Sequence, residues 1–211
     1  MNKQLPKTKF PIKFILSDLD GVIRKFPQSR DQQIESKFGL PLGTIYSAAF
    51  AAPQLNEVVC GRISDELWRS KIIAKISEVH SEKSARSAVQ EWSNFPGHLD
   101  LSYLQFLNDN FPETPISILT NGTSRLHADL VRLGIKDRFF KIFNSAEIGI
   151  CKPNPKIYQY VLTELDCQSS DVLFVDDSKS HIQAASDLGF YTHHYFDLPS
   201  FAAEIFCHSK I

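Results

Sequence analysis

The chain has no long apolar run of the kind that a membrane protein needs. A membrane-spanning helix requires roughly 20 consecutive apolar residues, and no stretch approaches that length. The basic N-terminal segment MNKQLPKTKFPIK is followed by only a few apolar residues before two acids, so it does not have the pattern of a signal peptide. We therefore expect a cytoplasmic protein that does not enter a membrane.

The chain also lacks an excess of charge of either sign. Lys and Arg together number 23 and Asp and Glu 24, which gives a formal net charge of −1. A protein that binds nucleic acid through bulk charge would be strongly basic. We expect a small substrate and local charged pockets instead of a nucleic-acid partner, and the oligomeric state is left open.

Cysteines are few and scattered. Cys60, Cys151, Cys167 and Cys207 form no CxxC pair. Their spacing matches neither a zinc motif nor a compact disulfide framework, and thiols of cytosolic proteins are usually reduced. We expect four reduced and mostly buried thiols.

Short apolar runs that end abruptly in polar residues predict strands. The runs are KFILS, PISILT, FFKIFNS, DVLFV and FYTHHYF. Near-continuous apolar character suits strands that are covered on both faces. Helical patterns alternate with them, in TSRLHADLVRLG, NPKIYQYVLTEL and SHIQAASDLG. Strands that alternate with helices predict an α/β protein with a parallel sheet.

The sequence pattern changes between residues 24 and 105, where helical patterns dominate. SDELWRSKIIAKISEV carries an apolar stripe and a predicted N-cap at Ser64, and SARSAVQEWSNF is similar. A segment this long cannot be one loop of a compact domain. We predict a helical insertion at residues 24–105, placed within a core domain made of residues 1–23 and 106–211.

Two aspartates follow the first predicted strand, in FILSDLDGVIR at residues 14–24. Alternate residues of an extended segment point to the same side, so Asp18 and Asp20 are expected to present two carboxylates into one space. Like charges held close need a cation or a shared proton. A solvated Asp-Gly turn is the plainer alternative, and these residues alone are consistent with both.

Three further polar clusters occur along the chain. They are Thr120–Asn121–Gly122, Lys152 in CKPNPKIY, and Asp176–Asp177. Three of the four clusters lie where a predicted strand ends, and ligand sites of open α/β sheets lie at the carboxyl ends of strands. Each cluster alone is weak evidence for a functional site, but the four clusters in this order along the chain predict one site.

The four clusters, as DLDG, LTNG, KPNP and VDDS, resemble the ordered motifs of the haloacid dehalogenase-like hydrolases, which are chiefly phosphatases. The resemblance covers residues 13–21 and roughly 106–197. It implies a Rossmann-like parallel sheet core with an inserted α-helical cap of the C1 type. GRISDELW is also similar to a cap segment of small sugar-phosphate phosphatases in this family.

The resemblance further implies a Mg²⁺-dependent phosphatase that hydrolyses a small phosphorylated metabolite such as a sugar phosphate. In that family pattern Asp18 is the nucleophile that forms an aspartyl-phosphate, and Asp20 is the general acid and base. The phosphate would be bound by Thr120, Asn121 and Lys152. The metal ligands would be Asp18, the main-chain carbonyl of Asp20, Asp177 and, directly or through water, Asp176.

Some residues depart from the family pattern or carry no role in it. Arg24 stands where many relatives have a smaller polar residue, which would reshape the entry to the site. We interpret His181 as a helix-surface residue, Trp68 as a core residue, and Arg62 and Arg69 as surface charges.

The sequence is also consistent with other functions. A phosphomutase shares all four motifs. A signalling receiver also combines acids, Thr, Lys and Mg²⁺, but in another order and without a helical insertion. A non-catalytic phosphate-binding protein on the same scaffold is a further alternative. A dehalogenase is disfavoured, because Asp20 would have no clear catalytic role in that reaction.

Overall fold

The computed structural model describes residues 12–27 and 29–206 and has an α/β architecture. Its strands and α-helices, in chain order, are β1 (Phe14–Ser17), β2 (Arg24–Lys25), α1 (Arg30–Lys37), α2 (Thr44–Ala49), α3 (Gln54–Val59), α4 (Asp65–Ser77), α5 (Glu82–Asn94), β3 (His98–Leu99), α6 (Leu101–Asn110), β4 (Ile116–Thr120), α7 (Leu126–Arg132), β5 (Ile142–Asn144), α8 (Ser145–Ile148), α9 (Pro155–Leu165), β6 (Val172–Asp176), α10 (Lys179–Ser186), β7 (Tyr191–His194) and α11 (Leu198–Ile205).

Five parallel strands form the main sheet in the order β5-β4-β1-β6-β7. Ile15 of the central strand β1 lies level with Ile116 of β4 and Leu173 of β6. The carboxyl ends of the strands therefore meet at one edge, which receives the polar residues that follow β1, β4 and β6. The predicted fold class and all five predicted strands are confirmed.

Both faces of the sheet are buried, because alternate residues of each strand face opposite layers. Ile15 and Val175 pack in one layer with α6, α7 and α11. Leu16 and Phe174 pack in the other layer with α9 and α10. This double burial explains why the strands are apolar without alternation.

Two predicted helix starts are confirmed by their caps. The Ser64 hydroxyl accepts a hydrogen bond from the Leu67 N–H at 3.2 Å, and α4 begins at the next residue. The Asn154 side chain accepts from the Lys156 N–H at 3.0 Å, with Pro155 at the first helical position of α9. Both contacts satisfy backbone donors that a helix start leaves free.

Helices α1–α5 form an apolar cluster of their own, separate from the two layers on the sheet. The short antiparallel pair β2–β3 joins this group to the core, and the sequence patterns did not predict it. Helix α6 begins at Leu101, yet Tyr103 and Leu104 pack in the core. The domain limits at 24–105 stay a prediction.

The helical group lies directly against the core at the end of α3. The Ser145 hydroxyl donates to the Val59 carbonyl at 2.5 Å. Gly61 has a φ of +68°, and a Cβ at that position would lie 1.9 Å from the Ala146 carbonyl oxygen. Only glycine fits this approach, which holds the cap close to the carboxyl edge of the sheet.

Cys60 and Cys151 form a disulfide, so the expectation of four reduced thiols is wrong for this pair. The two residues are 91 positions apart, and their Cα atoms are 5.3 Å apart. Cys60 follows α3 and Cys151 precedes Lys152. Their proximity comes from docking of the cap on the core, which spacing along the chain does not reveal. Cys167 is free.

Two expectations concern residues outside the described ranges. They are the interpretation of the N-terminal segment, which falls mostly within residues 1–11, and the thiol of Cys207. Among the helices of the described ranges, none has the length and apolar character to cross a membrane.

We predict that replacing both Cys60 and Cys151 by Ser lowers stability. A bond that closes a loop of roughly a hundred residues removes entropy from the unfolded chain, worth about 4–5 kcal/mol in the chain-entropy account. The double variant should unfold at a lower temperature than the wild type in non-reducing buffer, and Cys167→Ser should not. Equal unfolding temperatures for the double variant and the wild type would argue against the bond.

Candidate active site

A buried lysine lies between two buried aspartates at the carboxyl edge of the sheet. The Lys152 Nζ is 3.0 Å from Oδ1 of Asp18 and 2.6 Å from Oδ2 of Asp176. It also donates to the Leu119 carbonyl at 2.8 Å. The three donors of the ammonium thus have three acceptors from three adjacent strands, which fixes the side chain without water.

The electrostatics of this cluster follow from burial and from the shared cation. Burial raises the pKa of Asp18 to about 8, against the opposing effect of Lys152. Burial by itself would raise the pKa of Asp176 as well, but Lys152 and His181 outweigh this effect, so the pKa of that carboxyl is lowered. Burial disfavours the ammonium of Lys152, yet the two carboxylates raise its pKa overall. One ammonium serves two acids, so the cluster favours a further cation.

The structure gives Asp20 a cation of its own. Its carboxylate accepts hydrogen bonds from Arg24, at 2.5 Å from Nε and 2.8 Å from Nη2. Asp18 instead accepts from the Leu19 N–H at 2.7 Å. The two carboxylates are near enough for Asp20 to raise the pKa of Asp18, but they do not share a partner. Arg24 therefore orients the second acid at the site.

The residues at the end of β4 position Lys152 and also present free hydrogen-bond donors. The Asn121 amide donates to the Lys152 carbonyl at 2.9 Å, and the Lys152 N–H donates back to Asn121 at 2.8 Å. Asn121 thus positions the lysine through its side chain. Within the described ranges, the Thr120 hydroxyl and the backbone N–H groups of Asn121 and Gly122 have no hydrogen-bond partner. These three donors are available to an anion.

Asp177 lies against the turn that carries Asp18 and Asp20. Gly21 in this turn has a φ of +86°, and a Cβ there would lie 1.9 Å from Oδ2 of Asp177. A side chain at this position would push the carboxylate away. The glycine of the DLDG motif therefore lets Asp177 approach the main chain next to Asp20.

His181 contacts the site, so its interpretation as a helix-surface residue is wrong. Its Nδ1 lies 3.0 Å from Oδ1 of Asp176. Ligand atoms of Asp18, Asp176 and His181 lie within 4.8 Å of one another, a spacing that suits one metal ion. The residue lies in the first turn of α10, directly after the VDDS motif, and that placement is the signal that could have identified it.

The donor set fits Mg²⁺. Mg²⁺ prefers oxygen ligands, and Asp18, Asp176 and Asp177 supply carboxylates around the carboxyl end of β1. Burial and the neighbouring Asp176 raise the pKa of Asp177, which is the effect expected for acids that lack enough positive charge. His181 is already bonded to Asp176 and is suited to hold that carboxylate in place.

A cavity of about 360 Å³ lies between the cap and the core. Asp20, Asn121 and Gly122 of the site are among its lining residues. Six aromatic side chains line the rest, namely Phe26, Tyr46, Phe50, Trp68, Trp92 and Phe95. Arg69 lines it as well, although the sequence suggested a surface charge, whereas Arg62 does not. The sequence patterns did not identify this cavity because cap residues converge only after folding.

Residues 13–193 match the family model described as haloacid dehalogenase-like hydrolase. A D-ribitol-5-phosphate phosphatase of Bacteroides thetaiotaomicron is 24% identical over 189 residues, which is 86% of this chain and 90% of that protein. The mouse protein named acyl-CoA dehydrogenase family member 10 is 36% identical over 74 residues, 35% of this chain. The chain spans a tenth or less of the length of the first curated relatives that it matches.

A solved structure of similar fold is a HAD family enzyme of Bacteroides thetaiotaomicron in complex with magnesium and inorganic phosphate. It has a TM-score of 0.70 and 21% identity, and the alignment covers 90% of this chain and 98% of that one. At this identity the likeness establishes a shared fold.

We predict that Lys152→Met destabilises the metal-free protein by about 3–5 kcal/mol, because it leaves Asp18 and Asp176 buried without their cation. The free energy of unfolding from denaturant titration measures this change. Lys156→Met, at an exposed lysine of α9, is the matched control. Adding Asp176→Asn to Lys152→Met should restore part of the stability. A Lys152→Met variant as stable as the control would contradict the buried ion pairs.

Proposed function

Because the chain belongs to the haloacid dehalogenase-like hydrolases, we propose that it is a Mg²⁺-dependent phosphatase acting on a small phosphorylated metabolite through an aspartyl-phosphate. One observation carries the proposal: the Lys152 ammonium holds Asp18 at the carboxyl end of β1, with Asp20 close by at the mouth of a cavity. The similarity to a ribitol-phosphate phosphatase over most of both chains supports the substrate class.

In the first half-reaction a carboxylate oxygen of Asp18 attacks phosphorus. The bond between phosphorus and the leaving oxygen breaks, and Asp20 donates its proton to that oxygen. Arg24 binds the ionised Asp20 carboxylate through both of its oxygens, so Asp20 gives up one of these hydrogen bonds when it takes up the proton that it delivers to the leaving oxygen. The alcohol leaves through the cavity that Asp20 lines.

In the second half-reaction Asp20, now ionised, takes a proton from water. The water oxygen attacks phosphorus, the bond between phosphorus and the Asp18 oxygen breaks, and inorganic phosphate is released. Asp18 returns as a carboxylate and Asp20 again carries a proton. Acid–base help of this kind is typically worth roughly 10²–10⁴-fold in rate.

The remaining residues hold charge in place. The Thr120 hydroxyl and the N–H groups of Asn121 and Gly122 would bind phosphate oxygens, and Lys152 offsets negative charge at Asp18. Asp18, the main-chain carbonyl of Asp20 and Asp177 would hold Mg²⁺, and Asp176 would support it. When bound, Mg²⁺ neutralises the charge of the attacking carboxylate and the phosphate.

A cytoplasmic location is part of the proposal, and the disulfide bears on it. Lasting disulfides are rare in cytosolic proteins. In a cytoplasmic protein the Cys60–Cys151 bond would persist through a protected position, since Cys60 is buried.

We predict that chelation abolishes hydrolysis of a generic aryl phosphate and that added Mg²⁺ restores it. The physical reason is that a carboxylate cannot approach an anionic phosphate without added positive charge. Phosphate release measures the rate, and Asp18→Asn in excess Mg²⁺ is the inactive control. Full activity in excess chelator would overturn the metal assignment, and an active Asp18→Asn would overturn the nucleophile.

A further inference from the structure

The cavity between cap and core has a composition that selects among alcohols. Asp20, which in the proposed function protonates the leaving oxygen, is one of its lining residues, so we expect the alcohol part of the ester to occupy it. We propose that the substrate is a phosphate monoester whose alcohol part is uncharged and has a flat apolar face, an inference that rests on the proposed function. Two features of the cavity lead to this class.

The first feature is an aromatic wall, made of Tyr46, Phe50, Trp92 and Trp68 in that order. Successive ring centroids are 5.0, 6.3 and 5.7 Å apart. The two tryptophans are buried, whereas Tyr46 and Phe50 are 63% and 40% exposed. Aromatic side chains left accessible in a cavity of this size are typical of a site that buries an apolar ligand surface.

The second feature is complete charge pairing within the lining. Four arginines and four aspartates line the cavity, and the lining contains no lysine, histidine or glutamate. The pairs are Arg24–Asp20 at 2.5 Å, Arg30–Asp31 at 2.8 Å, Arg69–Asp65 at 2.7 Å and Arg125–Asp129 at 3.2 Å. Each cation thus already has a carboxylate partner.

Charge pairing disfavours an alcohol part that carries a carboxylate. Such a group would have to displace an aspartate from its arginine or remain unpaired in a mostly apolar space, and both are costly. Arginine pairs of this kind leave the guanidinium plane free for flat contacts. The Arg30 guanidinium lies 4.7 Å from the Phe26 ring and 5.3 Å from the Trp92 ring, which extends the flat lining.

Three esters of primary alcohols separate the possibilities, because the bond that breaks is similar in each. They are phenethyl phosphate, D-ribitol 5-phosphate and phosphoglycolate. With Mg²⁺ bound, we expect phenethyl phosphate to have the highest kcat/KM and to exceed phosphoglycolate in this constant by about tenfold or more. A higher kcat/KM for phosphoglycolate or for D-ribitol 5-phosphate than for phenethyl phosphate would overturn the inference.

Two variants test the two features separately. Phe50→Ala should lower the kcat/KM for phenethyl phosphate relative to acetyl phosphate, which has no flat apolar face, by about tenfold. Phe140→Ala, at an exposed phenylalanine outside the cavity lining, is the matched control and should leave the ratio unchanged. Asp31→Asn removes the partner of Arg30 and should raise the kcat/KM for phosphoglycolate relative to phenethyl phosphate. Unchanged ratios in both variants would contradict the assigned class.

The design separates failure of the inference from failure of the proposed function. If acetyl phosphate is hydrolysed in a reaction that needs Asp18, but the phenethyl ester has no advantage, the phosphatase stands and the substrate class is wrong. If no ester is hydrolysed, the assignment as a phosphatase is wrong, and binding measurements then test the proposed ligand class. Calorimetry with phenethylphosphonate and phosphonoacetate should then show tighter binding of the phenethyl compound. Equal or weaker binding would overturn the class as well.

Discussion

Two acids buried around one lysine are the constraint on which the site depends. Buried carboxylates are costly unless they are paired and hydrogen-bonded. The Lys152 ammonium pairs with both Asp18 and Asp176, and it reaches them because β1 and β6 are neighbours in the sheet. The Asn121 side chain holds the lysine backbone from the next strand. The charge of the site is therefore tied to the strand order.

The cap covers this edge of the sheet and leaves a cavity beside it. A close approach at Gly61, a hydroxyl contact at Ser145 and the disulfide all anchor the end of α3 beside the core. Thr123 adds a hydrogen bond to the Asp65 carboxylate at 3.0 Å, at the start of α4. These anchors hold the cap against the core, and the aromatic wall and Asp20 line the same cavity between them.

The sequence predicted the sheet and the main helices, because these follow from local periodicity and from helix caps. It also indicated the four polar clusters, because ligand sites of open α/β sheets lie at the carboxyl ends of strands. It did not predict that Lys152 is fully buried, that His181 contacts Asp176, or that Cys60 meets Cys151. Each of these contacts joins residues whose partners are set by how elements dock. A lysine or histidine in a helical or turn segment has the same sequence pattern whether it faces water or an acid, so tertiary packing decides.

The central claim is that Asp18 accepts the phosphoryl group while Asp20 moves protons. The most direct measurement is peptide mapping by mass spectrometry after the protein is mixed with an aryl phosphate and quenched in acid. We expect a phosphoryl group on the peptide that contains Asp18. Its occupancy should be higher in Asp20→Asn, because an aryl leaving group needs little protonation whereas hydrolysis of the intermediate needs a base. Turnover without any phosphoryl group on that peptide, or a phosphoryl group on another residue, would contradict the account.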